Sequence, residues 1–233
     1  MFKVVKLKPV LFTLLILMVG VFGCVVLTKT TQASAANKLN YTIVLDAGHG
    51  GVDGGCVGAT GISEAEINLA VTFKLKSMLE NFGFNVVLTR SSSAGLYSLS
   101  AKNKKQSDME KRKEIIKKAN PNMVVSVHMN SYVDSSQHGA QTFYKVGSEQ
   151  SQVLAETIQL ELVKNLVEAR EFANHTDLYI LDCVSAPSVV VEGGFLSNSD
   201  EESLLITPDY QNKLAYSIFC GVLKYFEVVN TVN

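Results

Sequence analysis

Short apolar runs separated by helical segments are the feature that most constrains the fold of this chain of 233 residues. Runs rich in β-branched residues predict strands at residues 41–46, 84–89, 123–127, 141–145, 178–181 and 188–192. Helical periodicity appears in the segments between them. Strands that alternate with helices predict an α/β fold, with a single domain, a twisted mixed sheet of roughly six strands and helices on both faces.

The predicted helices have recognisable start and stop residues. Ser63 and Glu66 form a capping box that opens the first helix, and Gly83 ends it. Ser107 and Glu110 form a second capping box. The remaining helices are predicted at residues 107–119, 149–165 and 207–226.

Residues 1–35 have the composition of a targeting segment. Three lysines come first, an almost unbroken apolar run covers residues 10–27, and Ala-Ser-Ala at residues 33–35 is an A-x-A cleavage motif. The run also reaches the length of the shorter transmembrane helices, roughly 17–25 residues. A cleaved signal peptide and a retained membrane anchor both stay open. Either one places the remaining domain, residues 40–228, outside the cytoplasm.

The charge balance excludes a protein that binds nucleic acid by charge, and the cysteine content excludes a protein built on a disulfide framework. The formal net charge is -1, and without the four lysines of residues 1–35 the chain has 17 basic and 22 acidic side chains. This balance gives no basis for binding nucleic acid by charge. The four cysteines do not form a disulfide framework, since Cys24 lies in the targeting segment and leaves an odd number.

Four polar motifs stand where a predicted strand ends or a predicted helix begins: residues 46–51, 63–66, 126–130 and 191–194. In open α/β sheets, functional sites form at the ends of the strands. Two histidines and a glutamate with an open fourth position make a hydrolytic zinc site, and a second glutamate beside them can move protons. The motifs therefore predict a zinc hydrolase.

The predicted metal ligands are two histidines and one glutamate. His49 lies in a glycine-rich turn that lets its imidazole face a cleft, and the turn lacks the lysine of a phosphate-binding loop. His128 ends an apolar strand close to the other candidates. The acidic ligand is Glu64 or Glu66. The capping box already uses Glu66, which favours Glu64 and leaves Glu66 as the competitor.

Glu192 is the predicted proton-transfer residue. It follows an apolar strand, where desolvation raises a carboxyl pKa toward neutrality and suits a general base and acid. The alternative is a salt bridge to an arginine. Asp46 and Asn130 are predicted to orient the ligands or to contact substrate. His138 and His175 are predicted to be surface or cleft residues rather than ligands.

The motifs DAGHGG, SEAEINL, SVHMN and VVVEGGFLSN, in that order, resemble the zinc-dependent N-acetylmuramoyl-L-alanine amidases (the Amidase_3 family) over residues 41–226. The resemblance implies one α/β domain with a six-stranded sheet. It implies that Zn²⁺ is bound by His49, Glu64 and His128 and that Glu192 is catalytic. The substrate implied is the peptidoglycan glycan strand with its stem peptide.

Within the family, the chain is most similar to the CwlD-type spore-cortex amidases. This implies cleavage of the bond between N-acetylmuramic acid and L-alanine during spore formation, a step toward muramic-δ-lactam, in the space between the forespore membranes. The sequence departs from the family pattern at Ala65, where lysine is frequent, and at Gly193.

Three alternatives stay open at this point. The first is another zinc peptidoglycan peptidase, which cuts inside the stem peptide. The second is a non-catalytic peptidoglycan-binding sporulation protein. The third, compatible with catalysis, is an activating sporulation partner that binds residues 91–106, because this predicted loop is long for a compact domain and is expected to be mobile or partner-facing.

Overall fold

The computed structural model describes residues 39–232, and six strands form one mixed sheet within them. The strands are β1 (Thr42–Ala47), β2 (Asn85–Leu88), β3 (Met123–Asn130), β4 (Gln141–Tyr144), β5 (Asn174–His175) and β6 (Ser188–Phe195). Their order in the sheet is β2-β1-β3-β6-β4-β5. The first four in this order are parallel, and β4 runs antiparallel to β6. The predicted fold class is confirmed.

Five α-helices between residues 39 and 232 cover the two faces of the sheet. They are α1 (Glu64–Phe82), α2 (Lys104–Ala119), α3 (Glu149–Asn165), α4 (Ser199–Leu205) and α5 (Pro208–Val232). Buried side chains of α1, α3 and α5 pack on one face, and α2 packs with a short 3-10 helix, Tyr179–Asp182, on the other. Both faces of the central strands are therefore buried, as a parallel sheet requires.

Alternate residues of the central strands belong to the two different cores. Leu45, Val127 and Val191 pack on the face covered by α1, α3 and α5. Val44 and Val190 pack on the opposite face, with α2. Because side chains alternate along a strand, His128 and Glu192 lie on the α2 face of the sheet.

The predicted strand at residues 178–181 is wrong. This segment forms the 3-10 helix Tyr179–Asp182, whose Ile180 and Leu181 are buried against the α2 face. The sixth strand is instead the two-residue edge strand β5. A short apolar run fits a strand and a buried helical turn equally well, which explains the error.

Two helix starts differ from the capping-box predictions. The N-cap of α2 is Asn103, whose side chain accepts a hydrogen bond from Gln106 N at 3.0 Å, whereas Ser107 lies inside the helix. Ser63 is the N-cap of α1 as predicted, but its hydroxyl donates to Glu66 Oε1 rather than accepting from the backbone.

The end of α1 was predicted correctly, the end of the last helix was predicted too early, and one helix was missed. Gly83 terminates α1 in a left-handed conformation, as predicted, and its N–H donates to Leu79 O and Glu80 O. The last helix continues past residue 226 to Val232. Helix α4 was not predicted, and its N-cap is Asn198, which accepts from Asp200 N and Glu201 N.

The connection between β2 and α2 packs against the loop that contains His49. Ser93 O accepts from Gly51 N at 2.8 Å, and the Tyr97 hydroxyl accepts from Val52 N at 3.2 Å. The outer part of the connection includes Leu99, which is 88% exposed. One side of this segment therefore supports the His49 loop while the other faces solvent.

No helix between residues 39 and 232 is long and apolar enough to cross a membrane. The signal-peptide and anchor predictions concern residues 1–35, which lie outside the described residues.

Packing between α3 and α5 gives a test of the fold. Leu162 is fully buried between the helices and the sheet, whereas Leu160 on the same helix is 59% exposed. We expect Leu162→Ala to lower the free energy of unfolding by about 2–5 kcal/mol, because it leaves a cavity in the core. Leu160→Ala is the matched control and is expected to change it little. Urea unfolding measures both, and equal losses would contradict this packing.

Candidate active site

The parallel sheet brings three predicted site residues to one edge. His128 on β3 pairs directly with Glu192 on β6, and the register shifts after His128. His49 follows the end of β1, whose Ala47 pairs with Val127. Because β1, β3 and β6 are parallel, their carboxyl ends meet at the same edge.

Glu64 reaches this edge from the start of α1. Its Oε1 lies 2.9 Å from His128 Nδ1 and 3.3 Å from His49 Nε2. The two imidazole rings are 4.9 Å apart, close to perpendicular. One ligand atom from each of His49, Glu64 and His128 lies within 4.8 Å of the others. Two imidazoles and a carboxylate are a donor set that fits zinc.

The structure distinguishes between Glu64 and Glu66, the two candidates for the acidic ligand. Glu64 is 3% exposed, and its Oε1 also accepts from Asn68 Nδ2 and from Met129 N. Its Oε2 accepts from Cys56 N at 3.0 Å. Glu66 is exposed and bonded to Ser63, outside the cluster.

The cluster stabilises the negative charge of Glu64. Burial alone would raise its pKa, but the hydrogen bonds and charges of His128 and His49 outweigh burial and hold the pKa of Glu64 well below its usual range. Burial disfavours the charged form of His49, yet Glu64, followed by Asp53 at 3.0 Å from Nδ1, raises the pKa of His49. A carboxylate that stays ionised next to two imidazoles attracts a cation.

Glu192 lies in a different environment. Its side chain is half-buried, and its Oε2 atom is enclosed without a hydrogen-bond partner among the described residues. Burial raises the pKa of Glu192 to about 7, and the nearby negative charge of Glu64 acts in the same direction, against the two histidines. No salt bridge to Glu192 forms within residues 39–232 of the structure. A carboxyl with a pKa near neutrality can both accept and donate a proton.

Two glycines allow the close approach of the cluster. A Cβ at Gly48 would lie 2.2 Å from the His128 ring, so a side chain there would collide with the imidazole. A Cβ at Gly55 would lie 2.3 Å from Glu64 Oε2, and Gly55 also has a positive φ of 71°. These positions require glycine because a ligand side chain occupies the space.

The two predicted orienting residues lie outside the cluster of ligands. Asp46 is buried and accepts hydrogen bonds from Arg112, Thr89 and Ser126. Although burial opposes ionisation, Arg112 and then the two hydroxyls lower the pKa of Asp46. The Asn130 side chain accepts from Ser131 N, at 2.8 Å.

His138 and His175 are also outside the cluster. His138 is mostly exposed, near Glu168, and His175 lies on the edge strand β5. Both positions agree with the prediction that these two histidines are surface or cleft residues.

Sequence reasoning did not identify several residues around the cluster. Asn68 bridges Gly48 O and Glu64 Oε1. Arg90 and Arg112 are buried beside the His49 loop. The only signal for Asn68 was its place one helical turn after Glu64. The arginines had no local signal, because their partners are distant in sequence.

A cleft of about 360 Å³ opens beside the cluster on the α2 face. His49, His128 and Glu192 line one side of it. The apolar part of the lining includes Met109, Leu178, Tyr179 and Ile180. The cleft is large enough for part of a peptide beside the candidate ligands.

The fold and this site are typical of metal-dependent hydrolases. Residues 43–224 match the model of the family described as N-acetylmuramoyl-L-alanine amidase, Amidase_3. The germination-specific N-acetylmuramoyl-L-alanine amidase of Bacillus subtilis is 36% identical over 79% of this chain and 79% of that protein.

Two solved structures have folds similar to that of this chain. The CwlD amidase of Clostridioides difficile, in complex with the GerS lipoprotein, has a TM-score of 0.78 and 40% identity over 81% of this chain and all of that one. The catalytic domain of CwlV from Bacillus (Paenibacillus) polymyxa has a TM-score of 0.72 and 29% identity, covering 81% of this chain and 99% of that one.

The chain therefore belongs to the Amidase_3 family of N-acetylmuramoyl-L-alanine amidases. It is an amide hydrolase that acts on peptidoglycan, and this resolves the choice between amidase, stem-peptide peptidase and non-catalytic binding protein in favour of the amidase.

Gly55 and Gly61 form a matched pair for testing the geometry of the cluster. Both have positive φ, but a Cβ at Gly61 meets no atom of residues 39–232 within 4 Å. We expect alanine at either position to cost roughly 1–2 kcal/mol of stability through backbone strain. Only Gly55→Ala should also weaken metal binding at the cluster, by about tenfold or more, because it displaces Glu64. Thermal unfolding and zinc titration separate the two effects, and equal zinc affinity in both variants would contradict this geometry.

Proposed function

We propose that this amidase is zinc-dependent and that His49, Glu64 and His128 hold the ion. The convergence of these three ligand atoms within 4.8 Å supports the proposal most directly. The ionised state of Glu64 and the two glycines that make room for the ligands support it further. When bound, zinc lowers the pKa of water and polarises the amide carbonyl of the substrate.

In the proposed mechanism, Glu192 carries the proton. Its carboxylate accepts a proton from the water that attacks the lactyl carbonyl carbon. The protonated carboxyl then donates this proton to the nitrogen of L-alanine as the carbon–nitrogen bond breaks. The stem peptide leaves with a free amino group, and Glu192 returns to its starting carboxylate. The lactyl group is released as a carboxylic acid that carries the second proton of the water and then loses it to solvent.

We further propose that the substrate is spore-cortex peptidoglycan. Removal of the stem peptide from N-acetylmuramic acid precedes formation of muramic-δ-lactam, so the enzyme would act in cortex maturation. The similarity to a germination-specific amidase and to the CwlD amidase supports this role. Residues 40–228 would then be exported by means of residues 1–35, as a signal peptide or anchor, into the space between the forespore membranes.

A partner protein is part of the proposal. The CwlD amidase was solved with the GerS lipoprotein, and it shares 40% of its sequence with this chain. We propose that a sporulation protein of comparable chemistry binds and activates this amidase. The solvent-facing part of the β2–α2 connection, around Leu99, offers one exposed apolar side chain for such a contact.

Glu192→Gln tests the assignment of the proton-transfer residue. We expect it to lower the rate by about 10²–10⁴-fold and to leave bound zinc unchanged, because the side chain moves a proton and holds no metal. Glu66→Gln is the matched control and should keep full activity, because Glu66 is exposed outside the site. Purified peptidoglycan is digested with and without zinc, and mass spectrometry identifies the products.

Free stem peptides that begin with L-alanine, released in a zinc-dependent manner and lost in Glu192→Gln, are the expected result. Activity that survives Glu192→Gln would contradict the mechanism. Cleavage within the stem peptide would mean that the wrong bond has been assigned. Zinc binding without release, reversed by adding the partner protein, would show that the partner is required.

The pH dependence of catalysis gives a second test. The base form of Glu192 is lost as the pH falls through its pKa, which burial raises from 4.5 to about 7. A bound zinc ion adds positive charge and lowers this pKa again. We therefore expect kcat/KM to fall on the acid side with a midpoint between 4.5 and about 7. Zinc content is measured in the same samples, and a rate that stays constant to pH 4.5 with zinc retained would contradict the role of Glu192.

A further inference from the structure

Two buried arginines hold the backbone that leads into His49. Ala47 O accepts from Arg90 Nε and from Arg112 Nη1, both at 2.8 Å. Gly48 O accepts from Arg90 Nη2 at 2.9 Å, and His49 O accepts from Arg112 Nη2 at 2.5 Å. Three successive carbonyl oxygens are thus fixed by two guanidinium groups, an arrangement we call the arginine clamp.

The clamp acts where the backbone is unusual. His49 has a φ of 60°, one of two non-glycine residues with positive φ between residues 39 and 232. This conformation is unfavourable for a residue with a side chain, and it persists only where surrounding contacts hold it. The direction of the imidazole is set by this backbone, so the groups that bind the three carbonyls also determine where His49 points.

Arg90 also connects the first two candidate ligands. Its Nη2 donates to Gly48 O and, at 2.8 Å, to Ala65 O, the carbonyl directly after Glu64 in the sequence. Asn68 makes a parallel connection through Gly48 O and Glu64 Oε1. The distance between the His49 loop and the start of α1 is therefore fixed by the side chains of Arg90 and Asn68, neither of which is a candidate ligand.

The two arginines have different hydrogen-bond partners. Arg112 is bonded to two carboxylates, Asp46 at 2.5 Å and Asp108 at 2.6 Å. All hydrogen bonds that Arg90 forms within the described part of the chain go to carbonyl oxygens, including Ser92 O. Burial and then the neighbouring charge of Arg112 lower the pKa of Arg90 to about 10, so it stays charged at neutral pH.

We propose that Arg90 and Arg112 are positioning residues of the metal centre, which hold the His49 loop and the start of α1 so that His49 and Glu64 converge on one ion. This inference rests on the proposed zinc site. It assigns a role to two residues that are not among the three candidate ligands.

The clamp depends on the planar geometry of the arginine side chain. A guanidinium presents five donors in a planar fork and reaches several fixed acceptors at once. Lysine keeps the positive charge but concentrates its donors on one atom, which cannot span the carbonyls of Ala47 and His49 together. Lysine variants therefore keep the charge and remove the fork.

Arg90→Lys and Arg112→Lys test the proposal in the full-length enzyme. Zinc affinity is measured by competition with a chromophoric chelator, and Co²⁺ absorption reports the geometry of the ligands. Folding is followed by circular dichroism and thermal unfolding. We expect each lysine variant to bind zinc about 10- to 100-fold more weakly and to show an altered Co²⁺ spectrum while it remains folded.

Leu162→Ala is the control for loss of stability alone. Its side chain packs in the core on the face covered by α1, α3 and α5, whereas the clamp consists of hydrogen bonds from Arg90 and Arg112 to the His49 loop. Leu162→Ala should therefore lower the unfolding temperature and leave the zinc affinity unchanged. If one lysine variant does not fold, the other decides the question, because both arginines reach Ala47 O independently. Folded lysine variants with a zinc affinity within twofold of the parent enzyme would overturn the proposal. A parent enzyme that binds no zinc would instead overturn the proposed metal site.

Discussion

The parallel register between β3 and β6 is the constraint on which the site depends. Val125 pairs with Val189 and Val127 with Val191, and the same register places His128 beside Glu192. A slip of one residue would turn a whole strand over and move its apolar side chains from one core to the other. Because both faces of these strands are buried, such a slip is strongly unfavourable, and the packing of valines far from the chemistry fixes the pair that lies at the edge.

Burial then gives chemically similar groups different properties. Glu64 and Glu192 are both enclosed carboxyls close to two histidines. Glu64 is within hydrogen-bonding distance of both imidazoles and accepts from two backbone amides, so its pKa is lowered. Glu192 Oε2 has no hydrogen-bond partner in the part of the chain that the structure describes, so desolvation dominates and raises the pKa of Glu192 to about 7. Two carboxyls whose environments push their pKa values apart are suited to different tasks, one to holding a cation and the other to moving a proton.

The sequence predicted the parts of the fold that local patterns determine. The strands with β-branched runs and the end of α1 at Gly83 are local features, and they were placed correctly. The choice of Glu64 over Glu66 was also a local argument, since only one of two neighbouring glutamates was already used by the helix start. The segment at residues 178–181 could not be assigned in this way, because four apolar residues have the same pattern in a strand and in a buried 3-10 turn.

The arginine clamp shows why the remainder of the site could not be predicted. Arg90 and Arg112 lie 41 and 63 positions after His49 in the sequence, and nothing near them indicates that their partners are backbone carbonyls of that loop. Burying a charge is costly unless it is paired or fully hydrogen-bonded. Arg112 satisfies this requirement with two carboxylates, but Arg90 satisfies it only with carbonyls. The carbonyls of Ala47 and Gly48 are therefore as necessary to Arg90 as Arg90 is to them, and the stability of this buried charge is tied to the conformation of the loop that presents His49.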